Sequence, residues 1–235
     1  MSKKKAKIGE CVHCGKIRPL SKDHVPPKNL FTKPLPSNMI EIPSCSVCNE
    51  NRSKDDEYFR LILTMREDLT EHEEVQDVFS KVERSFERPF HSGLKYSFLQ
   101  TVRLAEVITD SGIYCGRVPL YQPDSKRINK VLIPIINGLF YQSKRKRIPD
   151  QYLKIWWHIE RLSDIKNTDI RTKIINNLRS IPQIEIGNNI FAYRLQHAND
   201  DENVIIGIMI FYGRVPFLFA TIPQEYGYLI QQKEL

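Results

Sequence analysis

The sequence predicts an α+β protein. A zinc-braced N-terminal module runs to about residue 65, and an α+β domain with an antiparallel sheet follows over 66–235. Three observations predict this. Two CxxC pairs, Cys11-Val12-His13-Cys14 and Cys45-Ser46-Val47-Cys48, fall in the first part of the chain. Beyond them, apolar residues recur at helical spacing in separate stretches. Near the C-terminus, three apolar runs are separated by turn residues, as in a meander. A chain of 235 residues buries about 70% of its unfolded surface without staples, so any metal site here serves a local purpose.

The elements follow in order. Each CxxC lets a tight knuckle present two thiolates to one ion, and two knuckles supply the four sulfurs of a structural, tetrahedral zinc site: Cys11, Cys14, Cys45 and Cys48. Gly15 follows Cys14, where freedom to adopt a left-handed backbone helps the chain turn. The second knuckle has no such glycine and leads into a helix from Asn49 to about Met65, with Tyr58, Leu61, Ile62 and Met65 at helical spacing. Thr70-Glu71-His72-Glu73 reads as a capping box for a helix through Val75, Val78, Phe79, Val82 and Phe86, ended by Pro89 and Gly93. Tyr96–Ile108 and Ile113–Val118 read as extended. Asp124 caps a helix to about Tyr141, in which Pro134 predicts a kink or a late start. Tyr152–Ile159 is a strand and Asp169–Leu178 a short helix. Ile190–Leu195, Val204–Phe211 and Val215–Ile222 form an antiparallel meander, turning at Tyr212-Gly213-Arg214.

Composition narrows the class. Hydrophobic residues are 41% and charged residues 27% of the chain, which excludes a disordered protein. The formal net charge of +7 is compatible with a polyanionic partner, nucleic acid being the commonest. Met1–Glu10 is basic but no apolar stretch follows, so it is not a secretory signal. The most apolar region, Val204–Ile222, is interrupted by Arg214 and Pro216. These features predict a cytoplasmic protein with no membrane partner, in which thiols stay reduced. Cys115 stands alone and reads as a buried apolar filler.

The segment between the knuckles carries the chemistry. It contains Ser21-Lys22-Asp23-His24-Val25-Pro26-Pro27-Lys28, then Ser37-Asn38-Met39-Ile40, and Cys48 is followed at once by Asn49-Glu50-Asn51-Arg52. This order resembles the HNH endonuclease family, in the variant whose ββα-metal site is braced by a four-cysteine zinc. The resemblance covers Cys11 to Phe59. A neutral histidine suits proton abstraction from water near neutral pH, and His24 fits that base. A hard divalent cation, Mg2+ or Mn2+, takes oxygen ligands and keeps several waters; Asp23 and Asn49 fit it. The resemblance implies a catalytic cation on Asp23 and Asn49, His24 as general base, and Asn38 as the middle asparagine that braces the loop carrying His24. The last motif position is often His and is Asn here; Asn51 is the second choice for that ligand. Asp23 and His24 are neighbours and would point to opposite faces of a flat strand. Pro26-Pro27 suits an abrupt strand end there.

Other residues read more plainly. His13, inside a knuckle with four thiolates, is expected to be exposed. His72, His91, His158 and His197 read as structural or surface residues. Asp55, Asp56 and Glu57 read as helix surface, although Asp56 lies about two turns beyond Asn49 and so returns to its face. Lys144-Arg145-Lys146-Arg147 reads equally as a phosphate grip or a solvated loop. Trp156 and Trp157 are adjacent in a strand, so they point to opposite faces. Lys3, Lys4, Lys5 and Lys7 suit an arm that adds affinity for nucleic acid. The resemblance therefore implies a metal-dependent HNH endonuclease that hydrolyses DNA phosphodiesters, leaving 5′-phosphate and 3′-hydroxyl ends. Its expected partner is double-stranded DNA, with a homodimer as one way to cut both strands. The alternatives are a non-catalytic zinc-containing nucleic-acid-binding module and a partner-binding zinc protein.

Overall fold

The computed structural model describes residues 7–86, 92–159, 172–173, 176–178 and 180–228. The chain is α+β with antiparallel sheets. Strands β1 (Ile8–Glu10), β2 (Ile17–Val25) and β3 (Ile40–Cys45) form a three-stranded sheet in that order. The first CxxC makes the β1–β2 turn. Its left-handed residue is Gly15, at φ +68°, whose N–H donates to the Cys11 carbonyl at 2.8 Å. Lys7 continues the pairing, since its carbonyl accepts from Leu20 N–H at 2.9 Å; Lys3, Lys4 and Lys5 lie outside the described residues. β2 ends at Val25, directly before Pro26-Pro27, as a chain without N–H donors requires.

The second knuckle opens a helical segment that breaks once. Helix α1 covers Ser46–Glu50 and α2 covers Ser53–Thr64, with Asn51 and Arg52 between them. Thr70 is not the cap expected of it. Its hydroxyl donates back to the Glu67 carbonyl at 2.8 Å, and α3 (Glu73–Phe86) starts from the His72 carbonyl, which accepts from Val75 and Gln76 N–H. The extended reading from Tyr96 is also corrected. Residues Ser92–Leu99 form helix α4, because Leu94 and Phe98, one turn apart, both pack on the core. Pro89 and His91 lie outside the described residues, and Gly93 sits inside α4.

Strands β4 (Val102–Ile108) and β5 (Tyr114–Tyr121) pair as a hairpin. Cys115 on it is exposed rather than buried, because the ribbon stands away from the core except at its base. There Tyr121 Oη donates to the Ile62 carbonyl at 2.6 Å. Helix α5 (Ser125–Lys144) is capped as expected: the Asp124 side chain accepts from Lys126 and Arg127 N–H. Pro134 lies within it.

The five-stranded antiparallel sheet has the order β6-β10-β9-β8-β7. Its strands are β6 (Tyr152–His158), β7 (Ile184–Ile186), β8 (Phe191–His197), β9 (Ile205–Phe211) and β10 (Val215–Pro223). The helix expected over 169–178 falls largely outside the described residues. Trp156 packs against the main core and Trp157 against a smaller cluster with Ile208 and Leu218, so the two rings do take opposite faces.

One buried cluster crosses position 65. It contains Val25, Leu30, Ile42 and Phe59 from the N-terminal part and Phe191, Phe211, Tyr212 and Phe219 from the five-stranded sheet. Helix α5 lies among them, with Val131, Leu132, Ile136 and Phe140 fully buried. It packs tightly on β2 at Gly138, where a Cβ would meet Val25 Cγ2 at 2.4 Å. The Phe59 ring meets the Phe211 ring edge-on at 5.1 Å, and Tyr212 Oη donates to the Leu30 carbonyl at 2.9 Å. Among the described residues, no helix is long and apolar enough to cross a membrane.

Candidate functional site

The two knuckles meet. The sulfurs of Cys11, Cys14, Cys45 and Cys48 all lie within 4.8 Å of one another, and Cys14 Sγ is 3.9 Å from Cys45 Sγ. Four thiolates about 2.3 Å from a tetrahedral zinc stand roughly 3.8 Å apart. The cluster could therefore hold a metal such as zinc. The Cys45 N–H donates to Cys11 Sγ at 3.3 Å, the kind of support that orients a thiolate ligand. Arg147 lies over the first knuckle, its guanidinium carbon 2.8 Å from where a Gly15 Cβ would stand.

Immediately beside this cluster is a cleft of about 430 Å³. It is built by the end of β2, the turn after it, α1, the break between α1 and α2, and α2 as far as Arg60. Asp23, His24 and Asn49 all line it, although 25 positions separate His24 from Asn49 in the chain. Asn51 is not among the lining residues, so the structure brings Asn49 to the site in preference to it. Lys22, Lys28, Arg52 and Arg60 add cationic side chains, and Asp56 and Glu57 add acidic ones.

His24 is largely buried, at 17% side-chain exposure, with Nε2 3.4 Å from Glu41 Oε1. Burial, helped by the Lys28 ammonium, pushes its imidazole below the ordinary value. The ring is therefore neutral at pH 7, the form that accepts a proton. Asn49 Nδ2 donates to the Lys22 carbonyl at 3.5 Å. Asn38 does not join this cluster. Its amide donates to the Glu185 carbonyl at 2.7 Å, so it ties the loop before β3 to β7 instead of bracing His24.

Asp23 is not arranged as a free ligand. It is 3% exposed. Arg52 Nη2 sits 2.8 and 2.9 Å from its two carboxylate oxygens, and His13 Nε2 is 2.8 Å from Oδ2. Burial pushes this carboxyl up, but the His13 bond and the Arg52 charge outweigh burial and hold it below the usual carboxylate range. A cation placed on Asp23 would face a guanidinium already bound there. This donor set does not fit a divalent cation on Asp23. The expected exposure of His13 is corrected by the same contact: its side chain is 7% exposed, folded back from the knuckle onto Asp23.

Arg52 is the residue that sequence reading missed. It lies between α1 and α2, and its Nε donates to Asp56 Oδ1 at 3.2 Å while Nη2 holds Asp23. The Arg52–Asp56 spacing of four was the available signal. Asp56 is thus a cleft residue, not helix surface, and burial pushes its carboxyl up to about 6. Asp55 is buried as well, at 6%, because Arg127 Nε reaches it at 2.8 Å from α5. Three cations of the basic loop are paired: Lys144 and Lys146 meet Glu202, and Arg147 meets Asp150. His72 stacks edge-on against Tyr212, and His197 bonds Ser143; both are structural. No family model, curated protein or solved structure matches the chain.

Proposed function

We propose that the protein is a nuclease of the HNH type that hydrolyses DNA phosphodiesters in the cleft beside a structural zinc site. The observation that carries this reading is the cleft itself. A strand–strand–helix unit, closed by four cysteines, gathers His24 and Asn49 with four cationic side chains. The zinc is assigned because its preferred ligands and their spacing match the sulfur cluster. Its role is to fix β2 and α1 relative to each other, and with them His24 relative to Asn49.

In this mechanism a water lies between His24 and the scissile phosphate. Neutral His24 takes a proton from the water as its oxygen attacks phosphorus. The bond from phosphorus to the 3′ oxygen breaks, and a proton returned from solvent leaves a 3′-hydroxyl and a 5′-phosphate. Glu41, 3.4 Å from His24 Nε2, orients the ring and stabilises its protonated form. Asn49 positions the phosphate by its amide. The Mg2+ or Mn2+ expected on Asp23 and Asn49 enters no step, because Asp23 is engaged by Arg52 and His13.

A plasmid-nicking assay tests the reading, with wild type beside His24→Ala in magnesium or manganese. Nicking by wild type that falls by about 100-fold or more in the variant supports it, the range for loss of a general base. Equal activity in both removes His24 as the base. The engagement of Asp23 favours a second reading, a non-catalytic zinc module that binds nucleic acid. Steeply salt-dependent DNA binding without nicking by wild type would favour that module.

A further inference from the structure

The cleft contains donors that the protein does not satisfy. Two of the three guanidinium nitrogens of Arg52 are engaged. Nε faces Asp56 and Nη2 faces Asp23. Nη1 is buried and has no hydrogen-bond partner among the described residues. The side chain is 6% exposed, so water does not solvate it freely. Arg60, two turns further along α2 on the same cleft, repeats the pattern: its Nε is buried and without a hydrogen-bond partner. Unpaired buried donors are costly, and charged ones more so. Both residues line the cleft. A guanidinium N–H makes a charge-assisted hydrogen bond to a phosphoryl oxygen.

We infer that Arg52 Nη1 and Arg60 Nε form a seat for a phosphoryl group, so that the Asp23 end of the cleft binds an anion and not a cation. The inference deepens the nuclease reading and rests on it for whose phosphate is bound. Asp23 and Asp56 then act as positioning residues. They hold the Arg52 plane through Nε and Nη2 and leave Nη1 without a partner among the described residues. The guanidinium supplies, at the phosphate, the positive charge that the sequence assigned to a metal on Asp23.

The test is calorimetric titration of the full-length protein with inorganic phosphate at pH 7, for wild type, Arg52→Lys and Arg60→Gln. Arg52→Lys keeps the charge between Asp23 and Asp56 but removes Nη1. Arg60→Gln leaves that network untouched, so it reads the seat even where Arg52→Lys fails to fold; circular dichroism and zinc content report folding for both. The expected result is saturable binding by wild type, weakened about 10- to 100-fold in each folded variant, the range for one lost charge-assisted hydrogen bond. Equal binding by wild type and Arg60→Gln, or no saturable binding by wild type at millimolar phosphate, overturns the seat. The two readings fail separately. Plasmid nicking by a wild type whose phosphate binding ignores Arg60 refutes the seat alone. Arginine-dependent phosphate binding by a protein that nicks nothing refutes the nuclease alone.

Discussion

Replacing Gly138 by alanine should destabilise the protein, although the same change in an ordinary helix stabilises it. Alanine is favoured over glycine in a helix interior by about 1 kcal/mol. At Gly138 the new methyl carbon would stand 2.4 Å from Val25 Cγ2 and 2.9 Å from Cγ1. Carbon atoms at their optimum are about 3.5–4.0 Å apart, so more than an ångström must be found. α5 cannot supply it by sliding, because Ile136, Leu139 and Phe140 are locked in the core on either side. Overpacking of this kind costs about 1–3 kcal/mol, and the short contact places Gly138→Ala near the upper end. The net loss is about 1–2 kcal/mol. At about 2–4 °C per kcal/mol for a chain of this size, thermal unfolding should begin about 2–8 °C lower. Val25→Ala removes both colliding methyls, so the double variant should recover part of the loss relative to the sum of the singles. Because Val25 adjoins His24, nicking should fall in Gly138→Ala and return in the double variant. A single variant that unfolds higher than wild type would refute the packing of α5 on β2.

Two further outcomes separate metal ligation from its surroundings. Cys45→Ser should lose bound zinc, measured by elemental analysis, and unfold the sheet around the knuckles, because the energy of metal binding there is folding energy; full zinc content would remove Cys45 from the site. His13→Ala should keep the metal but lower stability by about 1–3 kcal/mol, since buried Asp23 loses a partner; loss of zinc instead would make His13 a ligand.

The sequence made the local features legible and left the long-range pairings hidden. The two knuckles, the Asp124 cap and the C-terminal meander rest on short spacings, and each was readable from a few adjacent residues. The resemblance to the HNH family also grouped Asp23, His24 and Asn49, and the three line one cleft. What could not be read was which of them is already spoken for. Asp23 meets His13 across the knuckle turn and Arg52 across a helix break, and neither contact leaves a periodic trace. The α4 error has a similar origin: Tyr96, Phe98 and Leu99 suit strands by type, and only the docking of Leu94 and Phe98 on the core selects the helix. Cys115 was misjudged because a thiol's burial depends on what covers its strand, which composition does not report.

The contact between Phe59 and Phe211, with the Tyr212 hydroxyl bound to Leu30, bears on how this unit can be inherited or transplanted. The residues that carry the cleft end by Arg60, yet the back of their helix is covered by the last third of the chain. A fragment cut near residue 65 would present Phe59 and Leu30 to water and lose the Tyr212 hydrogen bond to the Leu30 carbonyl. The cleft-bearing segment is therefore not a portable cassette. It travels in fusions or recombinants only with the five-stranded sheet, and drift in that sheet is constrained by the needs of a cleft it never touches.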